Sequence, residues 1–179
     1  FSDITHIYNA CTSCYKEGVF RRAGTVEAAL SDDRFSVQAI SDLVHLPVGV
    51  LRLIYKAKGS DKMYLITDGL EFSAFDMNEG EEFTQKNGVK VVYEDEVMKL
   101  SDRSCLAGST ANGARLVRNM YKTVGVPLTE AVKMMTLTPA RVIGVDSYKG
   151  KIAEGYDADI ILFDENVEVS SVMINGKLN

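Results

Sequence analysis

His6, His45 and Asp68 are the residues of this chain whose types and placement point to chemistry. An imidazole serves as a metal ligand or proton carrier, and a carboxylate converging on one is what a hydrolase needs to activate water at a metal. The chain has two histidines in 179 residues. Alone, a histidine is more often a satisfied structural residue than a ligand, and an aspartate at a strand end often only caps the following loop. What changes the reading is that each of the three ends, or closely follows, a short apolar or β-branched run. His6 lies in Ile4-Thr5-His6-Ile7-Tyr8, His45 follows Phe35 to Ile40, and Asp68 closes Met63-Tyr64-Leu65-Ile66-Thr67. Asn9 and Asp42 stand at comparable points.

The three runs read as strands separated by helices. Val26, Ala29 and Leu30 have helical spacing between the first two. Between the second and third, Pro47 fits a first helical position and Val50, Leu51, Ile54 and Tyr55 recur one helical turn apart. Lys56 and Lys58 suit the negative helix end, and Gly59 ends it. Alternation of strand and helix predicts an α/β fold with a parallel sheet, whose strand carboxyl ends are where chemistry is placed. Beyond Asp68, Val89–Tyr93 and Val97–Leu100 flank Glu94-Asp95-Glu96 and predict a β-hairpin near 83–100. Leu106-Ala107-Gly108-Ser109-Thr110 leads toward a helix, and either presents backbone N–H groups to a ligand or only caps that helix. Helices are expected around Leu116–Val124 and Ala131–Met135. Another is expected from Thr138-Pro139, as N-cap and first-turn proline, to Gly144. Asp159–Phe163 and Val172–Ile174, before Asn175-Gly176, return to strand.

Composition narrows the classes. With 20 Lys+Arg against 25 Asp+Glu, the net charge is −5, which lacks the basic footprint of a nucleic-acid binder. Hydrophobic residues make up 46% and mean hydropathy is −0.04, the balance of a folded domain rather than a disordered chain. No apolar run approaches the roughly 18 residues that span a bilayer. Asp3, His6, Lys16 and Glu17 occupy the region where a secretory signal needs an apolar centre. No membrane association is therefore expected, and a cytoplasmic location is the default. Of three cysteines, Cys11 and Cys14 form a C-x-x-C without the second ligand pair of a zinc knuckle, and the pair reads as structural or accidental. Arg21-Arg22 is a weak phosphate-binding signal, since paired arginines are usually solvated. The chain begins at Phe1 rather than methionine, which reads as processing, excision or a missing front.

Six segments carry a resemblance. Thr5-His6-Ile7-Tyr8-Asn9-Ala10, Ile40-Ser41-Asp42-Leu43-Val44-His45, Leu65-Ile66-Thr67-Asp68, Leu106-Ala107-Gly108-Ser109, Thr138-Pro139-Ala140-Arg141 and Gly150–Asp159 occur in the order and spacing of the N-acetylglucosamine-6-phosphate deacetylases, within the amidohydrolase superfamily. The resemblance runs the length of the chain. The last segment resembles a tail shared by many amidohydrolases, whereas T-H-x-x-N-A and D-x-x-H are more particular to the deacetylases. Leu43 stands where the family has glycine, and Gly69 where it has alanine.

The resemblance implies the last three βα units of a (β/α)8 barrel over residues 1–147, with the hairpin as an insertion. Residues 148–179 would be the C-terminal strands of a small β-sandwich domain. It implies His6 as a ligand of a divalent ion (zinc, iron or manganese) and Asp68 as catalytic base and acid. Asn9, Ala10, Asp42, His45, Leu106, Ala107 and Gly108 would line an amino-sugar-phosphate site. Arg21, three residues before Gly24, would reach the phosphate in the neighbouring subunit of a homodimer. The implied activity of the complete protein is hydrolysis of the acetamide of the 6-phosphorylated sugar. Two other readings stand beside it: an amidohydrolase for another N-acyl sugar or cyclic amide, and a non-catalytic fragment lacking the family's earlier strands. A barrel needs about 250 residues, so the family's other two metal ligands have no counterpart here.

Overall fold

The computed structural model of the chain describes residues 2–73 and 75–178; Phe1 and Asn179, the outer limits of the two expected spans, lie outside them. Its organising element is a three-stranded parallel sheet in the order β1 (Asp3–Ile4), β4 (Ser36–Ala39), β5 (Met63–Leu65). The strands end sooner than the apolar runs suggest, because the chain turns immediately after Ile4 and leaves the strand ladder after Leu65. The Ile7 N–H still reaches the Gln38 carbonyl (2.9 Å) and the Ile66 N–H the Ala39 carbonyl (3.1 Å). Between β1 and β4 the polar, cysteine-bearing loop forms a hairpin, β2 (Tyr15–Glu17) and β3 (Phe20–Arg22), followed by α1 (Thr25–Ser31). Gly24 is needed at this junction, because a Cβ there would lie 2.3 Å from the Thr12 carbonyl oxygen.

α2 (Val48–Lys62) connects β4 to β5, with Pro47 as its N-cap rather than its first helical residue. Gly59 does not end it. At φ 59° and ψ −179° it breaks the helix, which continues for a further turn. Val37, Ala39, Met63 and Leu65 pack with Val26 and Ala29 of α1 and Leu51 and Ile54 of α2 in one buried core. That core also takes in Leu116 and Val117 of α3 (Gly113–Arg118), Met120 of a π-helical turn (Asn119–Val124), and Ala131 and Met134 of α4 (Leu128–Met135).

The expected hairpin near 83–100 forms and is the centre of a four-stranded antiparallel sheet, β6 (Glu82–Thr84), β7 (Lys90–Glu94), β8 (Val97–Leu100) and β9 (Leu106–Ser109). Its outer strands give little apolar signal, since only Phe83 in β6 is large and apolar and Leu106 in β9 is exposed. Thr138 is not an N-cap: α5 (Leu137–Val142) starts after Thr136, and the buried Thr138 hydroxyl donates to the Ser60 carbonyl at 2.5 Å.

The tail forms a separate antiparallel sheet, β10 (Ile160–Phe163), β11 (Val169–Ile174) and β12 (Lys177–Leu178), with Asn175 and Gly176 at positive φ in its tight turn. It is rooted in the main core by Val167 and Phe163, and Arg118 Nε donates to the Asn166 carbonyl at 2.8 Å. Among the described residues no helix is long and apolar enough to cross a membrane.

Candidate active site

Loops leaving the carboxyl ends of β1, β4 and β5 carry His6, the Asp42–His45 segment and Asp68, so one end of one sheet gathers all three. β4 lies between the outer two strands, which sets β1 and β5 about 10 Å apart at the usual strand spacing. Each loop holds a non-glycine residue in the left-handed region: His6 (φ 28°), Tyr8 (74°) and Ala10 (52°) after β1, Leu43 (71°) after β4, and Asp68 (48°) after β5. Such conformations cost energy and cluster at functional sites. Leu43, at the family's glycine position, shows why glycine suits that place.

His6 Nδ1 is buried and has no hydrogen-bond partner. A buried ring nitrogen without a partner loses about 1–3 kcal/mol of desolvation energy, which a ligand at that atom would recover. His6 thus fits one ligand position of a metal site. Among the described residues no group of three His, Cys, Asp or Glu side chains converges to hold an ion. Asn9 stays local, its N–H bonding the His6 carbonyl at 2.9 Å.

Asp42 and His45 form a closed, buried unit. Asp42 Oδ1 accepts the N–H groups of Val44 (3.0 Å) and His45 (2.9 Å), and Oδ2 meets His45 Nδ1 at 2.7 Å. The two side chains are 1% and 4% exposed, so the pair is out of reach of solvent screening. Burial pushes the Asp42 carboxyl up, but the bonds from the His45 ring, the His45 N–H and the Val44 N–H outweigh it and hold the group below its ordinary value of 3.8. A carboxyl depressed in the folded state stabilises the fold fully above about pH 4, and that contribution is lost as pH falls through the folded-state value. Asp42→Ala, which strands two N–H groups and the ring, should cost about 3–5 kcal/mol, or a Tm lower by about 10 °C. Thermal melts between pH 7 and pH 3 check this: the gap between wild type and variant should close on the acid side.

The Asp68 carboxylate makes no hydrogen bond among the described residues. Its backbone is fixed instead: the Asp68 carbonyl accepts the Ser109 N–H at 3.1 Å, and Gly69 bridges Ser109 in parallel. Leu106, Ala107 and Gly108 therefore lie in strand β9, whose end at Gly108 and Ser109 meets Asp68, and they do not cap the next helix; the cap of α3 is Asn112, which accepts the Arg115 N–H at 2.9 Å. Gly108 has φ +112°, and a Cβ there would sit 2.9 Å from the Asp68 carbonyl oxygen. Gly108→Ala should displace the Asp68 backbone and destabilise the fold by about 1–3 kcal/mol, which a lower Tm in a thermal melt would show. At Gly69, the family's alanine position, Ser73 Oγ takes the room, 2.8 Å from where a Cβ would stand. An open cleft of about 670 Å³ has Thr67, Gly69, Ser73 and Asn112 in its wall, on the side of the β5 loop that faces α3, and the side chains of His6, His45 and Asp68 do not line it.

Arg21 stands apart on the exposed β2–β3 hairpin. Arg22 is paired with Glu17 at 2.7 Å, whereas no ion pair or hydrogen bond among the described residues joins Arg21 to His6, His45 or Asp68. Reading the sequence missed Asp3, Gln38 and Tyr64, which bond to one another across the sheet beneath His6. The available signal was a polar group in each of three otherwise apolar strands.

A profile of the amidohydrolase family matches residues 47–178. An N-acetylglucosamine-6-phosphate deacetylase of Haemophilus influenzae is 34% identical over 97% of this chain, which spans 43% of that relative. A putative N-acetylgalactosamine-6-phosphate deacetylase of Escherichia coli K12 is 32% identical, with 97% of this chain matching 98% of the relative. The crystal structure of N-acetylglucosamine-6-phosphate deacetylase from Pasteurella multocida superposes with a TM-score of 0.88 at 30% identity, over 99% of this chain and 44% of that one.

Proposed function

Because the chain belongs to the amidohydrolase family, we propose that the whole protein hydrolyses the acetamide of N-acetylglucosamine 6-phosphate to glucosamine 6-phosphate and acetate. The observation that carries this reading is the gathering of His6, the Asp42–His45 pair and an unpartnered Asp68 carboxylate at one end of the parallel sheet. β1, β4 and β5 are then the last three βα units of a (β/α)8 barrel within residues 1–147, and 148–179 supply strands of the small β-sandwich.

His6 would hold one position of a divalent ion, which when bound polarises the acetamide carbonyl and acidifies the attacking water. Asp68 accepts the proton of that water as it adds to the carbonyl. It then returns the proton to the sugar nitrogen as the C–N bond breaks, because an unprotonated amide nitrogen is a very poor leaving group. Asn9, Ala10, His45 and the β9 backbone at Leu106–Gly108 hold the sugar phosphate, with Asp42 fixing the His45 ring. Arg21 reaches the phosphate bound by a second copy in a homodimer, in keeping with a hairpin on which Val19 and Phe20 are 88% and 64% exposed. A sugar phosphate is too highly charged to cross a bilayer, so the same reading places the protein in the cytoplasm with its substrate.

The name carried by the Escherichia coli K12 relative favours a second reading, the galactosamine epimer. Acetate release from both N-acetylhexosamine 6-phosphates and their unphosphorylated forms separates the two. The first reading expects the highest kcat/KM on the glucosamine derivative, and preference for the other epimer would transfer the assignment. No release from any of them, with divalent ion supplied, would leave a non-catalytic chain.

A further inference from the structure

The parallel sheet has two unlike faces. Val37, Ala39, Met63 and Leu65 point into the helical core, whereas Asp3, Thr5, Gln38 and Tyr64 share the other face and bond to one another. Gln38, on the central strand, is the hub. Its Oε1 accepts the Thr5 hydroxyl at 2.9 Å, and its Nε2 donates to Asp3 Oδ2 at 2.7 Å and to the Tyr64 oxygen at 2.8 Å. The Tyr64 hydroxyl donates to the same Asp3 oxygen at 2.8 Å. Only the amide NH2 can face a carboxylate, so the orientation of the Gln38 side chain is determined. Its backbone carbonyl also accepts the Ile7 N–H at 2.9 Å. One residue therefore holds the chain immediately before and immediately after His6.

We propose that Gln38 is a positioning residue for His6, clasping Thr5 through its side chain and Ile7 through its backbone so that the imidazole is held for its ligand role. The proposal rests on the reading of His6 as a ligand. His6 has φ 28°, a conformation that persists only where its surroundings impose it, and these bonds supply that restraint. Strand pairing alone does not call for an amide at position 38, since an apolar side chain would leave the same backbone bonds. Burying an amide, a carboxylate and a phenol together carries a desolvation cost, with Asp3 Oδ1 left without a partner, and the bonds that converge on Gln38 and Asp3 Oδ2 specify one geometry for the side chains that make them. Burial, and then the Asp3 carboxylate, push the Tyr64 phenol up to about 12, so it keeps the proton it donates.

With two histidines in the chain, imidazole proton–nitrogen correlation spectra distinguish His6 from His45 once one ring is assigned by substitution. Gln38→Met keeps length and packing but removes the side-chain bonds. It should shift or broaden the His6 ring signals, leave those of His45 in place, and lower kcat about 10- to 100-fold with KM within about threefold. Thr5→Val, an isosteric change at an exposed residue, should move the His6 signals in the same direction by less, and it decides the matter if Gln38→Met does not fold. Unchanged His6 signals overturn the clasp, and moved signals with unchanged kcat overturn its role in the reaction. If the protein releases acetate from none of the sugars above, the functional reading fails by itself and the His6 signals still judge the clasp.

Discussion

Asp68→Asn in the whole protein is expected to lower kcat by about 10²–10⁴ while KM stays close to that of the unsubstituted protein, the usual scale for loss of a general acid–base. Three features make this substitution a clean probe. Asparagine tolerates the left-handed backbone of this position (φ 48°) as well as aspartate does. The contact that fixes the position, from the Ser109 N–H, is to the Asp68 carbonyl and survives the change. The carboxylate has no partner among the described residues, so the amide strands none of them; what it cannot do is serve as the proton acceptor proposed for Asp68. Steady-state kinetics and a melting curve on the same preparation test this. Normal turnover, or a collapse of Tm, would make Asp68 structural and remove the mechanism.

Arg21→Ala should raise KM for the phosphorylated sugar about 10- to 100-fold and leave the unphosphorylated analogue nearly unaffected, because a charge-assisted bond to phosphate contributes about 1.5–3 kcal/mol. Arg21 is exposed on its hairpin, so its truncation leaves the fold alone. His45 is the poorer probe of phosphate, even though sequence nominates both. Its ring is buried on Asp42, and His45→Ala would strand a buried carboxylate and mix stability with recognition. Equal losses on both sugars would show that Arg21 does not read the phosphate.

The parallel unit was legible because burial leaves a pattern: Ile54 and Leu51 recur at helical spacing, and Met63–Leu65 is a wholly buried strand. The β2–β3 hairpin was not, because all six of its strand residues are exposed and no apolar alternation records them. The π-helical turn at Asn119–Val124 is equally silent, since its apolar residues fit an ordinary helical period. Within the site, residue type announced His6, His45 and Asp68. The Asp42–His45 pair is three residues apart and so within reach of a local reading, whereas nothing local could announce that Gly108 would lie against the Asp68 carbonyl, because that contact forms only when distant segments pack.

A nascent chain that has just completed β5 has no donor for the Ser60 carbonyl beside the break at Gly59. The Thr138 hydroxyl that fills this role lies 78 residues downstream, and Asp61 likewise waits for Lys133 and Arg141, each at 2.9 Å. Lengthening a loop adds little to the entropy of closing it, yet contacts between distant residues slow the search for the native state. The turn that feeds β5 is therefore secured by residues of α4 and α5. The strand presenting Asp68 is thus held at its entry by segments far along the chain, so the place of the carboxylate depends on how α4 and α5 dock.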